Sequence, residues 1–546
     1  MNISLFLYTA RYLKPVQIYS RLLSKFKHRS IRFNGKLDLR EKTQWTPAIL
    51  KKLSLMTSPH TFCFLNEKHD IITCEDWNNH QYSPLWLYNL HYFDYIATNE
   101  IEGRNEWYDK IIERWILENP PGCGVGWDPY PSSLRIINWI KRHCSGNQLS
   151  GNALNSLKFQ ASFVYNHLEY HLLANHLFAN AKALVFAGLF FEGIAASKWL
   201  QKGLKILEKE IPEQILGDGG NFERSPMYHS IMTEDILDLI NIAKCFPACI
   251  SAVMVDFWKS KAQKMLTWLK GMCHDDGKIS LFNDAAFLIA PEYEELEKYA
   301  ERLGINVNKT QFGKVTDFKE TGYIRIQNEP YLLLIDAGNV GPDYQPGHAH
   351  ADTFSFELSK CKQRIIVDSG VSCYGKGEER LRQRGTAAHN TVSIDNKNSS
   401  EVWSGFRVAR RARILHREIQ TNEDNVFIIA AHDGFRRIKG VGLHYRKWAI
   451  HENKILITDT IEGTGKHEIR ASIHFHHDAN ISMVNENSIE IKCNDSIIVV
   501  QIDPAVRISI EESTYHPEFG LSINNKKLLC FKDVFLPFTF STEIIF

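Results

Sequence analysis

The sequence predicts a chain of two unlike parts, mainly helical up to about residue 310 and an antiparallel β-sandwich beyond it. Three observations carry this. Between residues 156 and 303 apolar residues recur at helical spacing, with strong helix formers such as Ala181, Lys182, Ala183 and Leu184 among them. After Thr321 the pattern changes to period two with β-branched runs, at intervals of about 8 to 15 residues and without intervening helices. At 546 residues the chain is also too long for a single core.

Taken in order, residues 1–45 form a basic segment. Over residues 11–40, Arg11, Lys14, Arg21, Lys25, Lys27, Arg29, Arg32, Lys36 and Arg40 stand against one acid, Asp38. The stretch Ile18–Phe33 reads as an amphipathic helix, either a solvated face or one suited to peripheral contact with an anionic membrane or a polyanion. Met1–Ala10 is apolar but lacks a basic n-region and a small-residue cleavage site, so no secretion signal is read. No apolar run reaches the ~18 residues of a membrane span. Residues 46–310 make the helical domain. It opens with aromatic clusters (Trp77, Trp86, Trp107, Trp115, Trp127, Tyr130, Trp139) punctuated by Pro84, Pro120, Pro121, Pro129 and Pro131, which predicts short helices and structured loops. Helical patterns then cover 156–206, 233–244, 253–272 and 291–303. Residues 311–546 make the sandwich, with strands read at 323–326, 331–335, 354–358, 364–367, 391–394, 426–430, 454–458, 468–475, 497–502 and 507–510. No internal repeat is present, which excludes solenoids and propellers.

A formal charge of +1 offers no global attraction for nucleic acid, so any anionic partner needs a local patch. Eleven scattered cysteines without a CxxC pair indicate neither a disulfide framework nor a cysteine zinc site.

Several local patterns bear chemistry. Asn175-His176 interrupts an apolar helix, and two buried polar side chains there would need partners. Asp218-Gly219-Gly220-Asn221-Phe222-Glu223-Arg224-Ser225-Pro226-Met227-Tyr228 is a glycine turn leading into a loop dense in functional groups; it fits either a capped turn with a core tyrosine or a site in which the Tyr228 phenol transfers a proton. Leu281-Phe282-Asn283-Asp284 is a third patch. In Gly347-His348-Ala349-His350-Ala351-Asp352, extended backbone would send both imidazoles to one face, as a structural pair or a working one. His350, Asp368 and His389 are a donor set from three strand ends that suits zinc or a similar divalent ion. Arg380, Arg382, Arg384, Arg407, Arg410, Arg411 and Arg413 concentrate fork-shaped donors fit for carboxylate or sulfate, or form a solvated rim.

In this order, together with Ser83-Pro84-Leu85-Trp86, Pro129 to Arg135, Asn175 to Leu184, Ile366 to Gly370 and Thr386 to Val392, these motifs resemble the heparinase II/III-like family of bacterial polysaccharide lyases. The resemblance implies an incomplete (α/α) toroid followed by a C-terminal antiparallel β-sandwich, and β-elimination on a uronic-acid polysaccharide. It implies Tyr228 as general acid and as a candidate base, and His348 as a second candidate base. Asn175 or His176, helped by Arg224, would neutralise the uronate carboxylate. Substrate contacts are expected from Arg384, Arg407, Arg410, Asn221 and Glu223, and a structural zinc or other divalent cation at His350, Asp368 and His389. No organic cofactor is expected. The family's setting implies the cell envelope or periplasm, whereas the missing signal points to the cytoplasm. Where some members carry a glutamate three residues after the histidine, this chain has Ala179, which puts the tuning of His176 in question. A uronyl C5-epimerase and a non-catalytic exopolysaccharide-binding or assembly protein are the alternatives.

Overall fold

The computed structural model describes residues 3–24, 33, 35–49, 55–97, 104–307, 311–493 and 496–546. Lys25, Lys27, Arg29 and Arg32 of the basic segment lie outside the described residues. Two short helices, α1 (Ile3–Ala10) and α2 (Pro15–Ser24), precede the body. The helical half continues through α3 (Pro84–Tyr92), α4 (Arg104–Glu118), α5 (Pro129–Cys144), α6 (Gly151–Asn166), α7 (Ala174–Phe190), α8 (Ile194–Gln214), α9 (Pro226–Cys245), α10 (Ala252–Gly271) and α11 (Tyr293–Arg302). Among the described residues no helix is long and apolar enough to cross a membrane.

Local chemistry sets the starts of these helices. Pro84 and Pro226 occupy first positions, where the missing N–H is harmless, and the hydroxyls of Ser83 and Ser225 accept from the amides of Trp86 and Tyr228. The helical pattern over 156–206 resolves into three helices. Leu173 and Ala174 adopt positive φ before α7, and Gly193, with φ 132°, precedes α8. Helix α7 is apolar on nearly every face and is buried along nearly its whole length, packed by α5, α6, α8 and α9, which makes it the hub of this half. Its one buried cation, Lys182, reaches Asp235 and Asp238 of α9 at 2.6 Å each and so fixes the two helices against each other.

The strand half is antiparallel in all three of its larger sheets. A five-stranded meander runs Val315–Phe318, Tyr323–Asn328, Tyr331–Asp336, Phe356–Lys360 and Gln363–Ile366. An eight-stranded sheet extends from Ile414–Thr421 at one edge to Asn480–Asn485 at the other, and a four-stranded sheet joins Val392–Ile394, Lys466–His474, Ile523–Phe535 and Arg507–Tyr515. Ile324, Leu333, Ile428, Trp448, Ile469 and Leu528, drawn from all three sheets, share one core. The meander is also the joint between the halves. Along Tyr331–Asp336 the alternate residues Leu333 and Ile335 enter that core, while Leu332 and Leu334 pack with Trp268, Met272 and Phe282 of the helical half. Both faces are covered, so the strand is buried throughout.

Candidate active site

The first turns of α5, α7 and α9 bring Tyr130, Asn175, His176 and Tyr228 to one end of the helical half, the positive end of the helix dipoles. Two loops of the strand half face them with His348 and Tyr374. The Tyr228 and His348 rings stack at 3.8 Å, and the Tyr228 and Tyr374 hydroxyls lie 3.0 Å apart. Gly219 (φ 93°) turns the chain before this constellation, and Gly220 packs so closely on Trp268 and Thr321 that a side chain there would displace them.

Asp284 anchors the strand-side loops. Its carboxylate accepts from His348 Nδ1 at 2.9 Å and from His350 Nε2 at 2.8 Å, and Arg380 grips both oxygens, Nη2 at 2.7 Å. Burial alone would raise this carboxyl, but the Arg380 guanidinium and the histidine bonds hold it well below the usual carboxylate range. An ionised Asp284 takes the Nδ1 proton of His348 as a hydrogen bond and leaves Nε2 as the bare nitrogen. The two histidines thus converge, although the segment carrying them is turn rather than strand; the strand starts at Phe356, not Phe354.

Opposite His348 the chemistry is unsatisfied. Glu223 is 2% exposed and neither of its carboxylate oxygens has a hydrogen-bond partner, His348 Nε2 standing 3.6 Å away. Burial raises this carboxyl, against the pull of His348 and His176. Asn175 Oδ1 is likewise buried without a partner. His176 Nδ1 meets Glu169 Oε1 at 3.1 Å, and Asn180 Nδ2 donates to the other Glu169 oxygen at 3.0 Å. Burial would lower His176, but the Glu169 carboxylate raises it overall. The carboxylate that Ala179 cannot supply therefore comes from Glu169, seven residues before the histidine. Burial, with Tyr374 beside it, pushes the Tyr228 phenol well above its ordinary range, so it stays protonated at neutral pH. Leu173, Ala174, Arg224 and Asn283 all hold positive φ around these groups, a strain that clusters at working sites.

Three of the expected substrate contacts, Arg384, Arg410 and Asn221, are engaged within the protein. Arg384 is fully buried, caged by the carbonyls of Ala349 and Gly405, which take the donors a ligand would need. Arg410 is held by Glu401 at 2.6 and 2.7 Å and lies over Tyr8 of α1. Asn221 is buried and spent on the Glu223 amide and Met232 Sδ. The Arg224 guanidinium binds the carbonyls of Asn339 and Glu320 through its terminal nitrogens, while its buried Nε has no partner. Arg407 rests on the Trp403 ring at 4.9 Å. Sequence reasoning missed Glu169 and Tyr374. A lone carboxylate between two histidines in His167-Leu168-Glu169-Tyr170-His171 was the one available signal for the first.

Beneath the cleft, His350 Nδ1, His389 Nε2 and Asp352 Oδ2 are buried and without partners, with the two imidazoles 5.3 Å apart. Asp368 instead accepts from His389 Nδ1 at 2.7 Å, so it orients a histidine, and the carboxylate with an unused oxygen is Asp352. These are the chemical types a divalent cation takes, but their ligand atoms do not converge to within 4.8 Å of one another; among the described residues the group that does is His476, His477 and Asp478.

A toroid-like helical half set against an antiparallel sandwich, with a tyrosine–histidine stack in the cleft between them, defines a class, and sequence comparison places the chain within it. Residues 142–302 match the heparinase II/III N-terminus and residues 311–536 the heparinase II/III-like C-terminal domain. The chain belongs to the heparinase II/III-like family. It is 28% identical over 343 residues to a heparin-sulfate lyase of Bacteroides stercoris, covering 57% of this chain and 50% of that protein. To the heparin-sulfate lyase of Bacteroides thetaiotaomicron it is 25% identical over 426 residues, covering 67% and 56%. The chain thus spans about half the length of the curated relatives it matches. A crystal structure of heparinase III shares the fold, with a TM-score of 0.68 at 18% identity over 88% of this chain and 79% of that one.

Proposed function

We propose that the protein is a lyase that cleaves a uronic-acid polysaccharide, of the glycosaminoglycan class, by β-elimination. The observation that carries this is the stack of an Asp284-oriented His348 on a Tyr228 held protonated, beside a pocket whose buried Glu223 and Asn175 have bonding capacity to spare. The names of the curated relatives support the substrate class.

In this reading His348 Nε2 removes the C5 proton of the uronate. The electron pair passes through the carboxylate-stabilised enolate to form C4=C5, the C4–O4 bond breaks, and the Tyr228 hydroxyl gives its proton to the departing O4. The carboxylate is neutralised by donors rather than by arginine: the Asn175 amide, the His176 imidazole whose proton Glu169 favours, and the Glu223 carboxyl while it holds its proton, each such donor typically contributing about 3 kcal/mol to the transition state. Stacking sets both proton-transfer groups on one face of the sugar. That suits removal and delivery from the same side, and it disfavours an epimerase, which must return the proton to the opposite face.

The test is the ultraviolet absorbance of the unsaturated uronate as the protein meets heparan sulfate, hyaluronan and alginate, with Tyr228→Phe as control. A rise on a glycosaminoglycan that the variant lacks is expected. Ligand binding with no rise on any of them would turn the reading to a binding protein.

A further inference from the structure

Helices α1 and α2 pack on the body by one face only. Trp403 Nε1 donates to Thr9 Oγ1 at 3.0 Å, Arg411 lies 4.0 Å from the Tyr12 ring, Gln17 Nε2 donates to the Tyr344 carbonyl at 3.2 Å, and Lys14 pairs with Glu213. The other face is apolar and bare. Ile3, Phe6 and Leu7 follow the i, i+3, i+4 spacing of one helix face, and Ile3 and Leu7 are 71% and 61% exposed; Ile18, Tyr19, Leu22 and Leu23 repeat this on α2, with Leu22 at 57%. Short amphipathic helices in a globular chain normally turn such residues inward. These two turn them to solvent while anchored by polar contacts.

Charge indicates what covers them. Residues 1–37 carry eight Lys and Arg and no acid, in a chain whose total is +1. Two copies would repel through this arm, and aliphatic side chains offer nothing to a sulfated glycan. Exposed Leu, Ile and Phe beside interleaved cations match a bilayer with anionic headgroups. We infer that α1 and α2 form an interfacial anchor that seats the protein on an anionic lipid surface. The anchor adjoins the cleft: the Lys14 ammonium lies 3.8 Å from the Tyr344 ring, which is 6.1 Å from Phe222, the neighbour of Glu223. Bound this way, the protein would act on glycan held near a membrane. The inference stands whether or not the chain is a lyase.

The test is sedimentation of the full chain with phosphatidylcholine vesicles, with and without phosphatidylglycerol, against the double variant Leu7→Asp/Leu22→Asp. The expected result is binding to the phosphatidylglycerol vesicles alone, weakened by salt and reduced about tenfold or more in the variant, whose circular dichroism and unfolding midpoint match the parent. Absence of binding to anionic vesicles would overturn the proposal, as would equal binding by the variant. So would a dimer in analytical ultracentrifugation that the variant abolishes, since the apolar face would then belong to a second copy.

Discussion

Two of the buried histidine–carboxylate–arginine clusters in this molecule, one in the sandwich and one at the cleft, differ in one respect. Within the sandwich, Asp459 accepts from His444 at 2.7 Å and from Arg446 at 2.7 and 2.9 Å; Arg446 also reaches the carbonyls of Phe354 and Asn390, and His432 closes the far side of His444 at 3.0 Å. Its hydrogen-bonding capacity is used within the protein. At the cleft, Asp284 binds His348, His350 and Arg380 in the same manner, but its surroundings leave Glu223, Asn175 Oδ1 and His350 Nδ1 without partners. The residue types are alike. What separates a structural cluster from a site is bonding capacity left for something not in the chain.

If that distinction holds, damage to the two clusters should read out differently. The largest effect is expected from Tyr228→Phe, which removes one hydroxyl and no packing: kcat should fall about 10²- to 10⁴-fold with the unfolding midpoint unchanged. Asp459→Asn should do the reverse, leaving kcat intact while the uncompensated Arg446 lowers stability by about 3 kcal/mol, read by denaturant unfolding. Burial opposes ionisation of Asp459, but Arg446 and His444 hold its carboxyl at about 2. Its folded value is depressed, so its contribution is present above the ordinary carboxylate range and is lost as pH falls through about 2. The variant should therefore flatten the acid limb of the stability curve.

Glu223 sharpens the contrast further. Its folded value is raised, so the neutral donor exists at low pH and is lost as pH rises through that value. From the cleft's several elements it faces His176, His348, Asp284, Tyr130, Tyr344 and Tyr374, none of them a fixed cation. Glu223→Gln, which keeps a neutral donor at every pH, should hold kcat/KM near the parent value below the folded value of Glu223 and abolish the fall in activity as pH rises through it. Glu223→Ala should lose about 10²-fold below that value and less above it, where the parent carboxyl no longer donates. The Gln variant should also gain stability relative to the parent as pH rises above the ordinary carboxylate range, reaching its full advantage above the folded value, because burying the ionised acid destabilises the parent there.

The site was legible in sequence where it is local. Asn175-His176, Tyr228 and His348 each stand in a short motif, and the strands announced themselves because both their period and their β-branching follow from the pleat. Glu169 was not legible, because its pairing with His176 depends on how the loop 167–173 folds back onto α7. The arginine run left two alternatives open for a physical reason. A guanidinium satisfied by backbone carbonyls, as at Arg384, and one waiting for a sulfate have the same spelling; only the path of Gly405 and Ala349 around it tells them apart.

Arg410 supplies the smallest expected effect and the cleanest discrimination between those alternatives. Its guanidinium makes a two-point bond with Glu401 at the seat of α1, half-exposed and on the side of Tyr8 rather than of Tyr228. Partly exposed pairs of this kind contribute roughly 0–1 kcal/mol. Arg410→Ala should accordingly change the unfolding free energy by less than about 1 kcal/mol and leave kcat/KM on an acidic glycan unaltered. A glycan-binding rim would behave otherwise, with KM raised at low salt and its rise with added salt made shallower once the cation is gone, since exposed charge pairing is what salt screens. Kinetics of the parent and the variant across a salt series separate the two, and a KM that rises in the variant would return the arginine run to the substrate.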